Sequence, residues 1–148
     1  FWKMNGFDGR FFAHQEEIDL CWRLKNAGRK IFYTGKSKVY HVGGGTLNKQ
    51  NPQKTYLNFR NNLTMMLKNL PSSKVFFILF FRLNLDGYAA FYLAYKNGWK
   101  HLWAIFKSHV MFYWQLPKSI QLRQKTQINN YYQIKWLMFK HFLGSKKV

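Results

Sequence analysis

From Glu16 to Ala27 the apolar positions Ile18, Cys21, Trp22 and Leu24 recur at helical spacing. Acids fill the first turn, Arg23 and Lys25 follow, and Gly28 stands as a stop, so the pattern predicts a short amphipathic helix. The residues before it are aromatic and glycine-spaced, NGFDGRFF reading as a loop. After it, Lys30 to Thr34 and Lys38 to Val42 are rich in aromatic and β-branched residues and predict two short strands or one broken strand, ended by Gly43, Gly44 and Gly45. Asn51 and Pro52 form a cap and first helical position, predicting a helix to about Asn69 before the Leu70, Pro71, Ser72 break. Beyond that break the chain reads as helical from Lys74 to Leu116, interrupted at Gly87 and Gly98, with Pro117 marking a turn. On a helical wheel Trp99, Leu102, Trp103, Phe106 and Val110 share one face, bordered by Lys96, Lys100 and Lys107. Residues 118 to 148 repeat the mixture of rings and basic side chains.

Charge divides the chain more sharply than the apolar pattern does. Of 148 residues, 24 are Lys or Arg and 5 are Asp or Glu, a formal net charge of +19. Four of the five acids, Asp8, Glu16, Glu17 and Asp19, fall within the first 19 residues, and only Asp86 lies beyond them. So basic a chain seeks phosphates, whether of nucleic acid, lipid head groups or a small molecule. A hydrophobic content of 47% excludes a disordered polybasic tail. With 20% aromatic residues, two partners suit the basic part: single-stranded nucleic acid or the membrane interface. No uncharged run exceeds ten residues, which argues against a simple transmembrane helix of about 20 apolar residues. One cysteine, Cys21, excludes an internal disulfide and a cysteine-based zinc site.

The stretch FFAHQEEIDLCWRLKNAG holds the candidate chemistry. Glu16 and Glu17 project about 100° apart from a helix start, so one can face a cleft while the other is held locally. A carboxylate beside a substrate hydroxyl serves as general base; the same acids also serve simply to cap a helix N-terminus. His41 closes a predicted strand just before the glycines, where it is either structural or a ligand for a divalent metal. The glycines are not a phosphate loop, because the lysine and Ser/Thr that follow such a loop are absent.

NGFDGRFFAHQEEIDLCWRLKNAG, then KIFYTGKSKVYHVGGGTL, then NPQKTYLNFRNNL resembles the end of the catalytic domain of bacterial family 2 glycosyltransferases, the inverting, nucleotide-sugar-dependent enzymes of the GT-A fold. Residues 5 to 62 follow that family's order of a G-F-D-E-x-F-F segment, an acidic E-D-x-D-L-x-x-R motif and a strand ending in H-x-G-G. The resemblance places Glu17 at the catalytic base with Glu16 as its acidic partner, and sets Asp19, Arg23, Asp8 and Trp22 as active-site support. It places His41 as a late ligand for Mg or Mn, whose D-x-D motif is expected upstream of Phe1. Glu17 stands where the family has aspartate, and Gly9 where it usually has an acid.

The resemblance implies an α/β fragment over residues 1–50, the acceptor side of a GT-A domain, then a connecting helix over 51–70 and a basic, aromatic helical region over 71–148. It implies transfer of a sugar from a nucleotide-sugar donor to a glycan or lipid-linked acceptor in cell-surface polysaccharide synthesis, with the fragment inactive alone. The last region is expected to dock peripherally on an anionic membrane, the cytoplasmic face of a bacterial inner membrane. The alternative is a membrane-surface or nucleic-acid-binding module without catalysis.

Overall fold

Asn51 accepts a hydrogen bond from the backbone N–H of Gln53 at 2.9 Å, and Pro52 fixes the first helical turn. The computed structural model describes residues 1–40, 50–125 and 127–131. Its helices are α1 (Glu16–Asn26), α2 (Pro52–Asn69), α3 (Ser72–Asn97), α4 (Trp99–Trp114) and α5 (Leu116–Gln121), with short 3-10 turns at Trp2–Met4 and Gly9–Phe11. The sequence-predicted bounds of α1 and α2 agree with these to within a residue. Gly87 does not interrupt α3: one glycine costs about 1 kcal/mol in a helix interior, too little to break a helix of 26 residues. Gly98, at φ 95°, does separate α3 from α4.

α2 touches α1, α3, α4 and α5. Leu63 and Leu67 of α2 meet Phe112 of α4, and Val75, Leu79, Leu83 and Leu116 close round them as a small core. The last carbonyls of α2 have no partner within the helix, and two other segments satisfy them. Arg123 donates to the carbonyls of Leu67 and Leu70, the backbone N–H of Gln124 donates to that of Lys68 at 3.3 Å, and Asn26 donates to that of Asn69 at 3.1 Å. These bonds draw α1 and the chain after α5 to one end of α2.

The expected α/β character is corrected by the structure: among the described residues the protein is helical and holds no strand or sheet. Residues 30–40, where strands were expected, run as irregular chain with every side chain exposed, including Phe32 at 83% and Tyr33 at 94%. A strand needs a neighbour for its ladder, and none is present among the described residues. Strand propensity in Ile31, Phe32 and Tyr33 is therefore not converted into a sheet. The described part of residues 1–50 is loop and helix, so it is not a GT-A fragment. His41 lies outside the described residues.

α3 and α4 carry apolar side chains on their inner faces and large exposed rings on their outer ones, unlike helices of a water-soluble domain. α4 buries His101, Ala104, Ile105, Ser108 and Phe112 while Trp99, Trp103, Phe106, Val110, Tyr113 and Trp114 stay exposed. α3 buries Asp86 and Ala90 and exposes Phe76, Phe77, Phe80, Phe81, Tyr88 and Phe91. The buried polar groups are paired. Asp86 meets Arg82 at 2.8 Å and His109 of α4 at 3.3 Å, and His101 shares a 2.9 Å hydrogen bond with Thr55 of α2. α3 is long and apolar enough to cross a membrane by length and composition, although Arg82 and Asp86 sit in its middle.

Lys68 ties these elements to the N-terminal loop. It is 2% exposed, and its ammonium lies 2.8 Å from Asp8 and 3.0 Å from Asp19. Replacing it with methionine leaves the fully buried Asp19 short of a counter-charge. We expect Lys68→Met to destabilise the fold by about 3–5 kcal/mol, read as a lowered urea midpoint, whereas Lys100→Met on the exposed side of α4 leaves the midpoint unchanged.

Candidate functional site

The loop before α1 takes a shape that its residues do not favour. Phe12 sits at φ 61°, ψ −57°, centring a γ-turn closed by a 2.7 Å bond from the N–H of Ala13 to the carbonyl of Phe11. His14 and Gln15 follow at φ 70° and 74°. Three non-glycine residues in such regions cost on the order of 1–3 kcal/mol each and persist only where surroundings hold them.

Arg60 and Asn61 of α2 supply that hold. Arg60 donates to the carbonyls of Arg10 at 2.8 Å and Phe11 at 3.2 Å. The Asn61 side-chain amide lies within hydrogen-bonding distance of the carbonyls of Phe11, Ala13 and His14, at 2.8–2.9 Å. Arg60 also donates to Asn61 Oδ1 at 2.9 and 2.7 Å, which turns the amide nitrogen toward the loop. Phe11, 1% exposed, plugs the loop into the protein and lies under the Lys68 ammonium at 5.2 Å.

So held, the loop and the first turn of α1 form a cleft of about 670 Å³ lined by Phe7, Asp8, Gly9, Phe12, His14, Glu16 and Glu17. A side chain at Gly9 would meet open space, so the glycine widens the cleft mouth. His14 Nε2 and Glu16 Oε2 are both screened from solvent without a hydrogen-bond partner among the described residues, while Glu17 is exposed. Unsatisfied buried polar atoms are uncommon, and these two border one cleft.

The acids sort into two sets. Asp8 accepts from Arg10 at 2.6 Å and from Lys68 at 2.8 Å. Burial pushes its carboxyl up, but the hydrogen bonds and charges of Arg10 and Lys68 outweigh burial and hold it well below the usual carboxylate range. Asp19, 0% exposed, accepts from Arg23 at 2.8 Å, Lys68 at 3.0 Å and Asn69 at 2.9 Å. Arg23 in turn donates to the carbonyls of Met4 and, at 2.7 Å, Gly6. Asp86 is paired in the α3–α4 interface. Glu16 and Glu17 alone among the five acids have no ion pair among the described residues.

Of the residues singled out in the sequence, Glu16, Glu17 and Asp8 therefore line the cleft, whereas Asp19 and Arg23 lie beneath it and fasten α1 to α2 and to the loop. Trp22 stacks on Tyr131 at 5.3 Å, on the part of α1 away from the cleft lining. No group of three His, Cys, Asp or Glu side chains is placed to hold a cation among the described residues, and His41, the expected metal ligand, lies outside them. Four residues that build the site escaped the sequence reading: Arg60, Asn61 and Lys68, which hold the loop, and His14, which lines the cleft. Arg60, Thr64 and Lys68 recur every fourth position of a helix that also carries Leu63 and Leu67, a polar stripe beside an apolar one.

Two outcomes follow for the loop. Asn61→Leu should cost about 1–3 kcal/mol and speed amide hydrogen exchange across residues 11–15, with α3 and α4 unaffected. Asp8, held below its ordinary 3.8, adds stability in full above that value and loses it as the pH falls toward its depressed folded value. Between pH 4 and 2, Asp8→Asn should flatten that part of the loss, measured as urea midpoint against pH.

Comparison with family models, with curated proteins and with solved structures finds no match to this chain.

Proposed function

We propose that this chain supplies the hydroxyl-activating side of a sugar-transfer reaction, with Glu17 as base and Glu16 as its acidic partner. The observation that carries the reading is the cleft itself. A strained loop, fixed by Arg60 and Asn61, lies against the first turn of α1 and walls a cleft lined by both glutamates, neither of which has an ion pair among the described residues. Strain concentrates where function needs a fixed geometry, and a stability role for Glu16 and Glu17 would not require it. The motif order in residues 5 to 62 agrees with this chemistry, although the α/β architecture it implied does not hold.

In such a step the acceptor hydroxyl gives its proton to Glu17 as its oxygen forms a bond to the anomeric carbon. The bond from that carbon to the nucleotide diphosphate breaks on the opposite face, and the configuration inverts. Glu16, half-buried with one oxygen turned inside, lines the cleft beside the base. His14 lines the cleft beside the two glutamates. The donor is a nucleotide-sugar and the acceptor a glycan or lipid-linked glycan.

The exposed rings of α3 and α4 suit a peripheral position on an anionic membrane, where a lipid-linked acceptor resides. Trp99, Trp103 and Trp114 are amphipathic rings of the kind that settle at the head-group level. Nucleic acid fits less well, because phenylalanine rings side by side on α3 form a broad apolar face in place of a basic groove.

The test is a chromosomal Glu17→Gln replacement, with the surface polysaccharide of the host measured against protein level. Loss of the polysaccharide at unchanged protein level is expected, with Glu16→Gln giving a partial loss and Cys21→Ala none. Unchanged polysaccharide in the Glu16→Gln, Glu17→Gln double variant would remove the reading.

A further inference from the structure

On the other side of α2 from its capped C-terminal end, the first turn of α2 and the outer face of α4 enclose an open groove of about 930 Å³. Trp99, Trp103, Phe106 and Val110 form its wall along α4, and Tyr56 and Pro52 form the wall along α2. Ala104, 5% exposed, lies at its floor, and the small side chain leaves the depth open. Lys100 and Lys107 are the charged residues of the lining, and no acid lines it. Seven positions apart, they stand on one face of α4, about 10 Å apart along its axis. Their neighbours Trp103 and Phe106 stack at 5.1 Å, giving a flat apolar plate between the two cations.

A groove with a wide apolar bed and two unopposed ammonium groups is complementary to a molecule with an apolar body and an anionic end. It opens on the exposed rings of α4, so such a molecule reaches it from an apolar phase without crossing water. We propose that this groove binds a single anionic phospholipid, its acyl chain along Trp103, Phe106 and Val110 and its phosphate on Lys100 or Lys107. The membrane-facing reading of α3 and α4 supplies the lipid, but the groove is a discrete site and does not depend on the carboxylate chemistry of the cleft. The Lys stems cover the apolar bed while the ammonium groups meet the phosphate.

The probe is dihexanoyl-phosphatidylglycerol below its micelle-forming concentration, titrated into the full chain with tryptophan fluorescence as readout. Saturable binding with a stoichiometry of one is expected. Dihexanoyl-phosphatidylcholine and inorganic phosphate should each bind at least tenfold more weakly, the first lacking net charge and the second an apolar body. Of Lys100→Gln and Lys107→Gln, the one that removes the phosphate's partner should weaken binding about fivefold and the double variant at least as much, and Ala104→Leu should weaken it by occupying the floor. Because Ala104→Leu could disturb folding, helical circular dichroism accompanies it, and the lysine variants, on exposed side chains, carry the decision alone if it unfolds.

Three results would overturn the proposal. Equal binding of the phosphatidylcholine would leave a non-selective apolar surface, and equal binding of phosphate would leave a simple basic patch. Concentration-dependent dimers in sedimentation velocity that the lysine variants leave intact, with no lipid saturation, would assign the groove to a second copy of the chain. Loss of vesicle flotation with retained monomer binding would remove the membrane reading and leave the lipid site standing.

Discussion

A single buried ammonium group organises the N-terminal third of this protein. Lys68 reaches from α2 into a space closed to water and meets two carboxylates that come from different segments, Asp8 of the loop and Asp19 of α1. Taking an amine out of water costs several kcal/mol and is offset only when its partners are fixed. Here Arg10 and Arg23 fix them from outside, and the ring of Phe11 covers one side. The cleft follows from this network, because Asp8 belongs to both, and the loop cannot shift without drawing Asp8 away from the buried Lys68 ammonium.

The helical skeleton was legible because helix signals are local. Asn51, Pro52 and Gly28 are start and stop residues whose effect depends on the few residues beside them, and their positions agree with α1 and α2. The absence of a strand over residues 30–40 was not legible in the same way, since Ile31, Phe32 and Tyr33 have strand propensity that acts only through a partner. The glutamate pair was visible in the sequence, but the difference between Glu17 and Asp19 was not. Both are acids of one helical turn, and only the arrival of Lys68 and Asn69, 49 and 50 positions away, makes one a buried anchor and leaves the other uncommitted. The Phe12 turn was equally hidden, because no local preference selects it and the bonds that hold it come from Arg60 and Asn61.

The exposed aromatic faces of α3 and α4 are one more feature that cannot be read from composition. A wheel shows that Trp99, Trp103 and Phe106 share a face, but it does not say whether that face turns inward. His101 and Asp86 settle the matter, since each finds its hydrogen-bond partner on a neighbouring helix, His101 at Thr55 of α2 and Asp86 at His109 of α4. Polar groups that need partners and rings that need only an apolar phase are thereby divided between the two sides of the same helices.

The division of acids has an effect that reaches outside the molecule. Asp8, Asp19 and Asp86 are spent against internal cations, so the field seen by an approaching molecule is that of a strongly basic body with one negative spot at Glu16 and Glu17. A neutral ligand feels little of this. An elongated ligand with a phosphate at one end and hydroxyls at the other feels a torque: its anionic end is drawn to the lysine-bearing surface and repelled from the cleft, which turns the hydroxyl end toward the carboxylates before any contact is made.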